Sequence, residues 1–140
     1  IDQSPEFKVR KIIKAFIDDA ILMPHQTIPD TYNVTSSGFR KLRLFSIFLK
    51  TYFESYWIVL SFLQNNSKNS IKAKDRLKKI LNNGNRMYKR HEIVLPEALS
   101  RVSFQNAVDY FTSKGVKGSD SSDEIKFYAE AIQKSLKALQ

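Results

Sequence analysis

The sequence predicts an all-α fold of about five amphipathic helices, with room for one short strand pair near residues 86–95. Three observations carry this expectation. Apolar residues recur at three- and four-residue spacing through most of the chain. Glycine and proline number four each, too few for a turn-dense β-sandwich. The chain has 140 residues, 42% of them hydrophobic, and a chain of about 150 residues buries roughly 70% of its unfolded surface. A core is therefore attainable without disulfides or metals.

Residues 1–6 read as a tail. From Phe7, the positions Val9, Ile12, Ile13, Phe16, Ile17, Ala20 and Ile21 share one helical face. The residue before a proline avoids helical dihedrals, so this helix is expected to end before Pro24. Residues 23–38 contain Pro24, Pro29, Gly38 and a cluster of Asp, Thr, Asn and Ser, and read as a loop of about fifteen residues. The strongest element is residues 39–64. Leu42, Phe45, Phe48, Leu49, Tyr52, Phe53, Tyr56, Leu60 and Leu63 keep helical spacing, and Ile47, Trp57, Ile58, Val59 and Phe62 widen the stripe. A helix apolar nearly all round is buried, or lies against a membrane or a second domain. At 1.5 Å per residue it runs about 38 Å.

Residues 70–83 resume with Ile71, Leu77, Ile80 and Leu81, and Gly84 is the expected helix stop. Residues 85–95 read as extended. Pro96 suits the first turn of a helix that continues to Lys114-Gly115. Ser121 and Glu124 match the S-x-x-E capping box, and Ile125, Tyr128, Ala129, Ile132, Leu136 and Leu139 form a last apolar stripe. The organisation expected is an N-terminal helix and loop (1–38) followed by a helical domain (39–140).

Charge is unevenly placed. Between residues 68 and 90 there are nine basic side chains: Lys68, Lys72, Lys74, Arg76, Lys78, Lys79, Arg86, Lys89 and Arg90. The only acid there is Asp75, so this window holds +8 of the chain's net +9. These nine residues are the candidate contact for an anionic surface. Nucleic acid, anionic lipid or an acidic protein would each suit them, and so would plain solvent. No apolar run approaches the ~20 residues of a spanning helix. Placement at the cytoplasmic face of a membrane, or in the cytoplasm, is the expectation.

No catalytic, cofactor-binding or metal-binding residue is assigned. The chain has no cysteine and two histidines, which excludes thiolate chemistry and a three-histidine zinc site. There is no G-x-G-x-x-G, P-loop or G-x-S-x-G segment. His25 and Asp30 fall at H-x4-D spacing, in which an aspartate can orient a histidine base. They sit in a proline-bearing loop with no phosphate-binding segment after them, so the pair reads as coincidence. His91, Glu92 and Glu97 read as surface residues. Residues 75–118 also have the order of a winged-helix DNA reader, but the second helix offers only Arg101 and Lys114 as cations.

Two stretches carry a family resemblance. Phe39-Arg-Lys-Leu-Arg-Leu-Phe45, followed by Phe53-Glu-Ser-Tyr-Trp-Ile-Val-Leu60, is similar to the "F-L-E-A-Y" helix of the glycerol-3-phosphate and dihydroxyacetone-phosphate acyltransferases. The run Gly84…Tyr88…Glu92-Ile93…Pro96-Glu97-Ala98-Leu99-Ser100, with Asn106-Ala107 and Gly115-Val116, resembles their C-terminal "E-A-L-S … N-A-L … G-V" block. The resemblance covers about residues 39–140. It implies an accessory C-terminal domain of an enzyme of glycerophospholipid synthesis, partnered by a catalytic domain of the same parent chain and an anionic membrane surface. The family's catalytic and phosphate-binding motifs lie upstream of this block, so none of its catalytic residues maps here. A basic winged-helix-like module binding nucleic acid or protein is the alternative.

Overall fold

A computed structural model describes residues 4–66, 72–116 and 118–140. Five α-helices dominate, with 71% of the chain helical, and the all-α expectation holds. The chain divides into two compact units, residues 1–47 and 48–140.

In the first unit, α1 spans Pro5–Asp18. It starts within the segment read as a tail, because Ser4 caps it by accepting from the Phe7 amide at 3.2 Å. Its end is a Schellman turn. The Ile21 N–H donates to Phe16 O and the Ala20 N–H to Ile17 O, with Ala20 left-handed at φ 59°. β1 (Leu22–Pro24) and β2 (Tyr32–Val34) then pair antiparallel, with Leu22 opposite Val34. The one strand pair among the described residues is thus here, inside the expected loop, and not at 86–95. Pro24 is tolerated because a two-stranded ribbon is all edge. Thr35 Oγ1 donates to Ala20 O and accepts from the Gly38 amide, opening the next helix. A side chain at Gly38 would run into the backbone carbonyl of Ile21.

α2 spans Ser36–Gln64, and the division between the units falls within it. In the second unit its residues Ile58, Val59, Leu60, Phe62 and Leu63 enter the core. α3 covers Ala73–Lys89. Gly84 does not end it. The glycine lies buried inside α3, where a Cβ would meet Leu99 Cδ2 at 2.7 Å and Ile58 Cγ2 at 3.2 Å. Close approach to Ile58 of α2 and to Leu99, not a turn, requires glycine there. The stop comes at His91, left-handed at φ 62°, in a second Schellman turn built from Glu92 N–H to Met87 O and His91 N–H to Tyr88 O.

A 3-10 turn at Pro96–Ala98 precedes α4 (Arg101–Ser113), so the expected single helix from Pro96 is interrupted. Ser100 caps α4 by accepting from the Ser103 amide. Gly115 ends α4 at φ 80°, as its sequence position suggested. α5 spans Ser122–Ala138. Ser121 makes no side-chain cap; its hydroxyl donates to Gly115 O at 3.3 Å instead. Phe104, Phe111, Ile80, Ile93 and Val116 complete the core.

Two polar side chains of α2 anchor the segment between α3 and α4. Glu54 is only 2% exposed, and its two carboxylate oxygens accept from Val94 N–H at 2.7 Å and Leu95 N–H at 2.9 Å. Next to it, buried Ser55 donates to Ala98 O at 2.6 Å.

Candidate functional site

α3 turns Leu77, Ile80, Leu81, Gly84 and Met87 towards the core. Its cations are left on the opposite face. Lys72, Lys74, Lys78, Lys79, Arg86, Lys89 and Arg90 are exposed, and Arg76 is half-buried. Lys68 lies outside the described residues. Among the described residues, none of these eight side chains makes an ion pair or a hydrogen bond. Like charges recur four residues apart at Lys72/Arg76, Lys74/Lys78 and Arg86/Arg90, which is mildly destabilising in a helix.

Lys79 and Arg86 border a polar cleft of about 290 Å³ with Phe62, Asn65, Asn66, Asn82 and Asn83. The cleft lies at the C-terminal end of α2. There, Asn65 Nδ2 donates to Ser61 O, Asn66 Nδ2 to Phe62 O and Asn83 Nδ2 to Ile58 O. The Asn65 and Asn66 amides bond carbonyls in the last turn of α2, and Asn83 ties α3 to α2. The two cations face the negative end of the helix dipole. The stripe can hold anions by charge.

His25 is held within its own loop, and no hydrogen bond joins it to Asp30 among the described residues. Its Nδ1 accepts from the Thr27 amide at 3.1 Å and the Ile28 amide at 3.0 Å, folding the loop between β1 and β2. His91 serves the helix stop. No cluster of three or more metal-ligating side chains occurs among the described residues. The winged-helix order also lacks its wing: among the described residues no strand follows α4, and α5 comes next.

A second cavity was not anticipated from the sequence. It is an apolar groove of about 370 Å³ on the second unit, bordered by Tyr52, Phe53 and Tyr56 of α2, Tyr110 and Phe111 of α4, and Phe127, Tyr128, Ala131, Ile132 and Ser135 of α5. Tyr52 stacks on Tyr56 with centroids 4.3 Å apart and donates to its hydroxyl at 2.6 Å. Burial pushes the Tyr56 phenol well above its ordinary value. Tyr128 is raised too, by burial first and then by Tyr110. The i, i+4 pair Tyr52/Tyr56 was the available signal in the sequence.

The helical block from Phe53 to Val116 thus carries the resemblance on residues with identifiable packing roles, Glu54, Gly84, Ala98 and Ser100 among them. A family described as the glycerol-3-phosphate acyltransferase C-terminal region matches residues 2–120. The chain belongs to this family. The match reaches further towards the N-terminus than the resemblance did, taking in α1 and the strand pair, and it stops before α5. The family places the chain in the context of acyltransferases and phospholipid synthesis, as a helical accessory domain. No curated protein and no solved structure gives a match. Among the described residues, no helix is long and apolar enough to cross a membrane.

Proposed function

We propose that the chain is the accessory C-terminal domain of a glycerol-3-phosphate acyltransferase-like enzyme, and that residues 1–47 pack beside the catalytic domain of the same parent protein. The observation that carries this reading is how little the first unit buries. Among the described residues its only buried hydrophobic side chain is Ile21, while Phe7, Val9, Ile12, Met23, Ile28, Phe39, Leu44, Phe45 and Ile47 are exposed. α1 buries nothing. An apolar surface of this extent marks an interaction site. Acyl transfer is assigned to the catalytic domain, and His25 serves its own loop, accepting from the Thr27 and Ile28 amides. The test is association in trans. The catalytic domain should bind the chain, and Leu44→Glu with Phe45→Glu should abolish binding while leaving the unfolding of the second unit unchanged. Binding that survives the double substitution would refute the assignment.

The unpaired cations of α3 favour a second contact, with the anionic lipid surface on which such an enzyme finds its products. Each Lys or Arg near such a surface contributes about 1 kcal/mol, within a Debye length. Anionic but not neutral liposomes should sediment the chain at about 0.15 M salt, and Lys78→Glu with Lys79→Glu should weaken this. Sequence-selective binding to duplex DNA at the same salt would transfer the stripe to nucleic acid.

A further inference from the structure

The aromatic groove on the second unit belongs to neither contact. One of its walls is α5, which lies beyond the residues that match the family. Four tyrosines and three phenylalanines border it, against two aliphatic side chains, Ala131 and Ile132. Tyr52 and Tyr56 are stacked, with 28° between their planes, whereas Tyr128 stands at 81° to Tyr110 and at 82° to Phe127. Phe111, Tyr56 and Ile132 are buried, while Tyr52, Tyr110 and Phe127 stand exposed at the sides. We propose that this groove binds a small soluble ligand through a quaternary ammonium group, a choline-type head.

The lining selects a cation. An aliphatic occupant packs as well against leucine or isoleucine as against a ring. A cation does not, because the face of a ring carries negative charge density. One ring of the groove already holds a cation: Lys114 Nζ stands 5.8 Å from the Tyr110 centroid. On the same helix the Asp109 carboxylate extends its negative charge to Tyr56. Hydrogen bonding selects the kind of cation. A primary ammonium or a guanidinium brings several N–H donors, and each needs an acceptor once water is excluded. None of the described lining residues is a carboxylate. Ser135 Oγ is bonded to the Ala131 carbonyl at 2.9 Å, and the Tyr52 hydroxyl to that of Tyr56. A quaternary ammonium has no N–H and needs no acceptor. Size and shape agree. The ~370 Å³ volume is at the small end of ligand sites, which run from about 300 to 1,000 Å³. Rings set nearly at right angles meet a compact, rounded head on more than one side.

The experiment is titration of the chain with choline, read by calorimetry and by the proton signal of the trimethyl group. Ethanolamine and the uncharged choline isostere, in which carbon replaces nitrogen, are titrated beside it. Choline should bind saturably at one site, about tenfold or more tighter than either control, with its methyl signal moved upfield by the rings. Tyr52→Leu and Phe127→Leu keep apolar bulk and remove one ring each. Each should lower choline affinity about threefold or more, with the urea midpoint unchanged. Should Tyr52→Leu unfold the chain, Phe127, which is 66% exposed, carries the test alone. Vesicles of phosphatidylcholine separate a soluble ligand from a lipid headgroup, and should not displace choline. Choline binding no tighter than ethanolamine or the isostere, unchanged affinity in the ring variants, or no saturable binding at all would each overturn the proposal. Displacement of choline by the vesicles would overturn the soluble source in favour of a lipid headgroup.

Discussion

Removing the Glu54 carboxylate should loosen the whole second unit, although Glu54 touches no reactive group. Its two oxygens satisfy the amides of Val94 and Leu95, and Ser55 beside it fixes Ala98. A hydrogen bond to a charged acceptor contributes about 1.5–3 kcal/mol. Two of them set a ceiling of roughly 6 kcal/mol. Two effects lower the figure. The carboxylate no longer bears the cost of burial, and Val94 is exposed enough for water to reach its amide. Glu54→Ala is therefore expected to cost about 3 kcal/mol, roughly a hundredfold in the folding equilibrium. Glu54→Gln keeps one acceptor and turns an NH2 towards the other amide, so it should cost less, about 2 kcal/mol. Urea unfolding measures the total. With a slope of about 1–3 kcal/mol per molar, the alanine variant should move the midpoint down by at least ~1 M. Amide exchange at 94 and 95 reports the local effect, and should accelerate in both variants. A loss under about 0.5 kcal/mol, the range of an ordinary surface change, would show that these bonds are replaced by water at no cost and that residues 93–98 are held by packing alone.

Gly84→Ala should destabilise despite alanine's helix advantage of about 1 kcal/mol, because Ile58 is fully buried and cannot move aside; unfolding by urea should show a net loss of about 1 kcal/mol. Ala20→Gly should do the opposite. Its φ of 59° costs a side-chain-bearing residue about 1 kcal/mol, and glycine should raise the thermal midpoint of the first unit's unfolding. The Tyr56 phenol is raised in the folded state, so the folded chain holds a proton that the unfolded chain gives up above about pH 10. Stability linked to it is fully present below that pH and declines as pH rises beyond it. Tyr56→Phe should flatten the alkaline limb of a stability–pH profile, and an unchanged limb would contradict the burial of this hydroxyl. Phe111→Ala, at a fully buried ring that also floors the groove, should cost about 3–5 kcal/mol by urea unfolding.

Helix content was legible because each helix repeats an apolar face: Leu77, Ile80 and Leu81 in α3, and Ile125, Tyr128 and Ile132 in α5, are where the 3.6-residue period placed them. Boundaries were less so, for a physical reason. Three helices end in left-handed Schellman turns, but only one uses glycine at that position, Gly115. Ala20 and His91 hold the same conformation against their own sterics, and neither residue type announces it. Gly84 does announce a turn and is instead the point where α3 meets Ile58 of α2 and Leu99. Glu54 reads as one acid in an apolar helix, since the amides it serves are forty residues away. The basic stripe was visible residue by residue, being local in sequence. The groove was not, because its walls come from three separate helices.

α3 folds against its own charge. Its described cations, Lys72 to Arg90, have only Asp75 among them to oppose eight like charges, and the apolar face alone holds the helix down. Whatever polyanion settles on that helix therefore relieves a repulsion already present, in addition to forming new contacts. Binding and folding then draw on one free energy. A chain on an anionic surface should melt higher than the same chain in dilute buffer, and raising the salt should recover part of that gain by screening alone. A binding partner for this helix would thus be found as readily by its effect on the melting temperature as by any measurement of affinity.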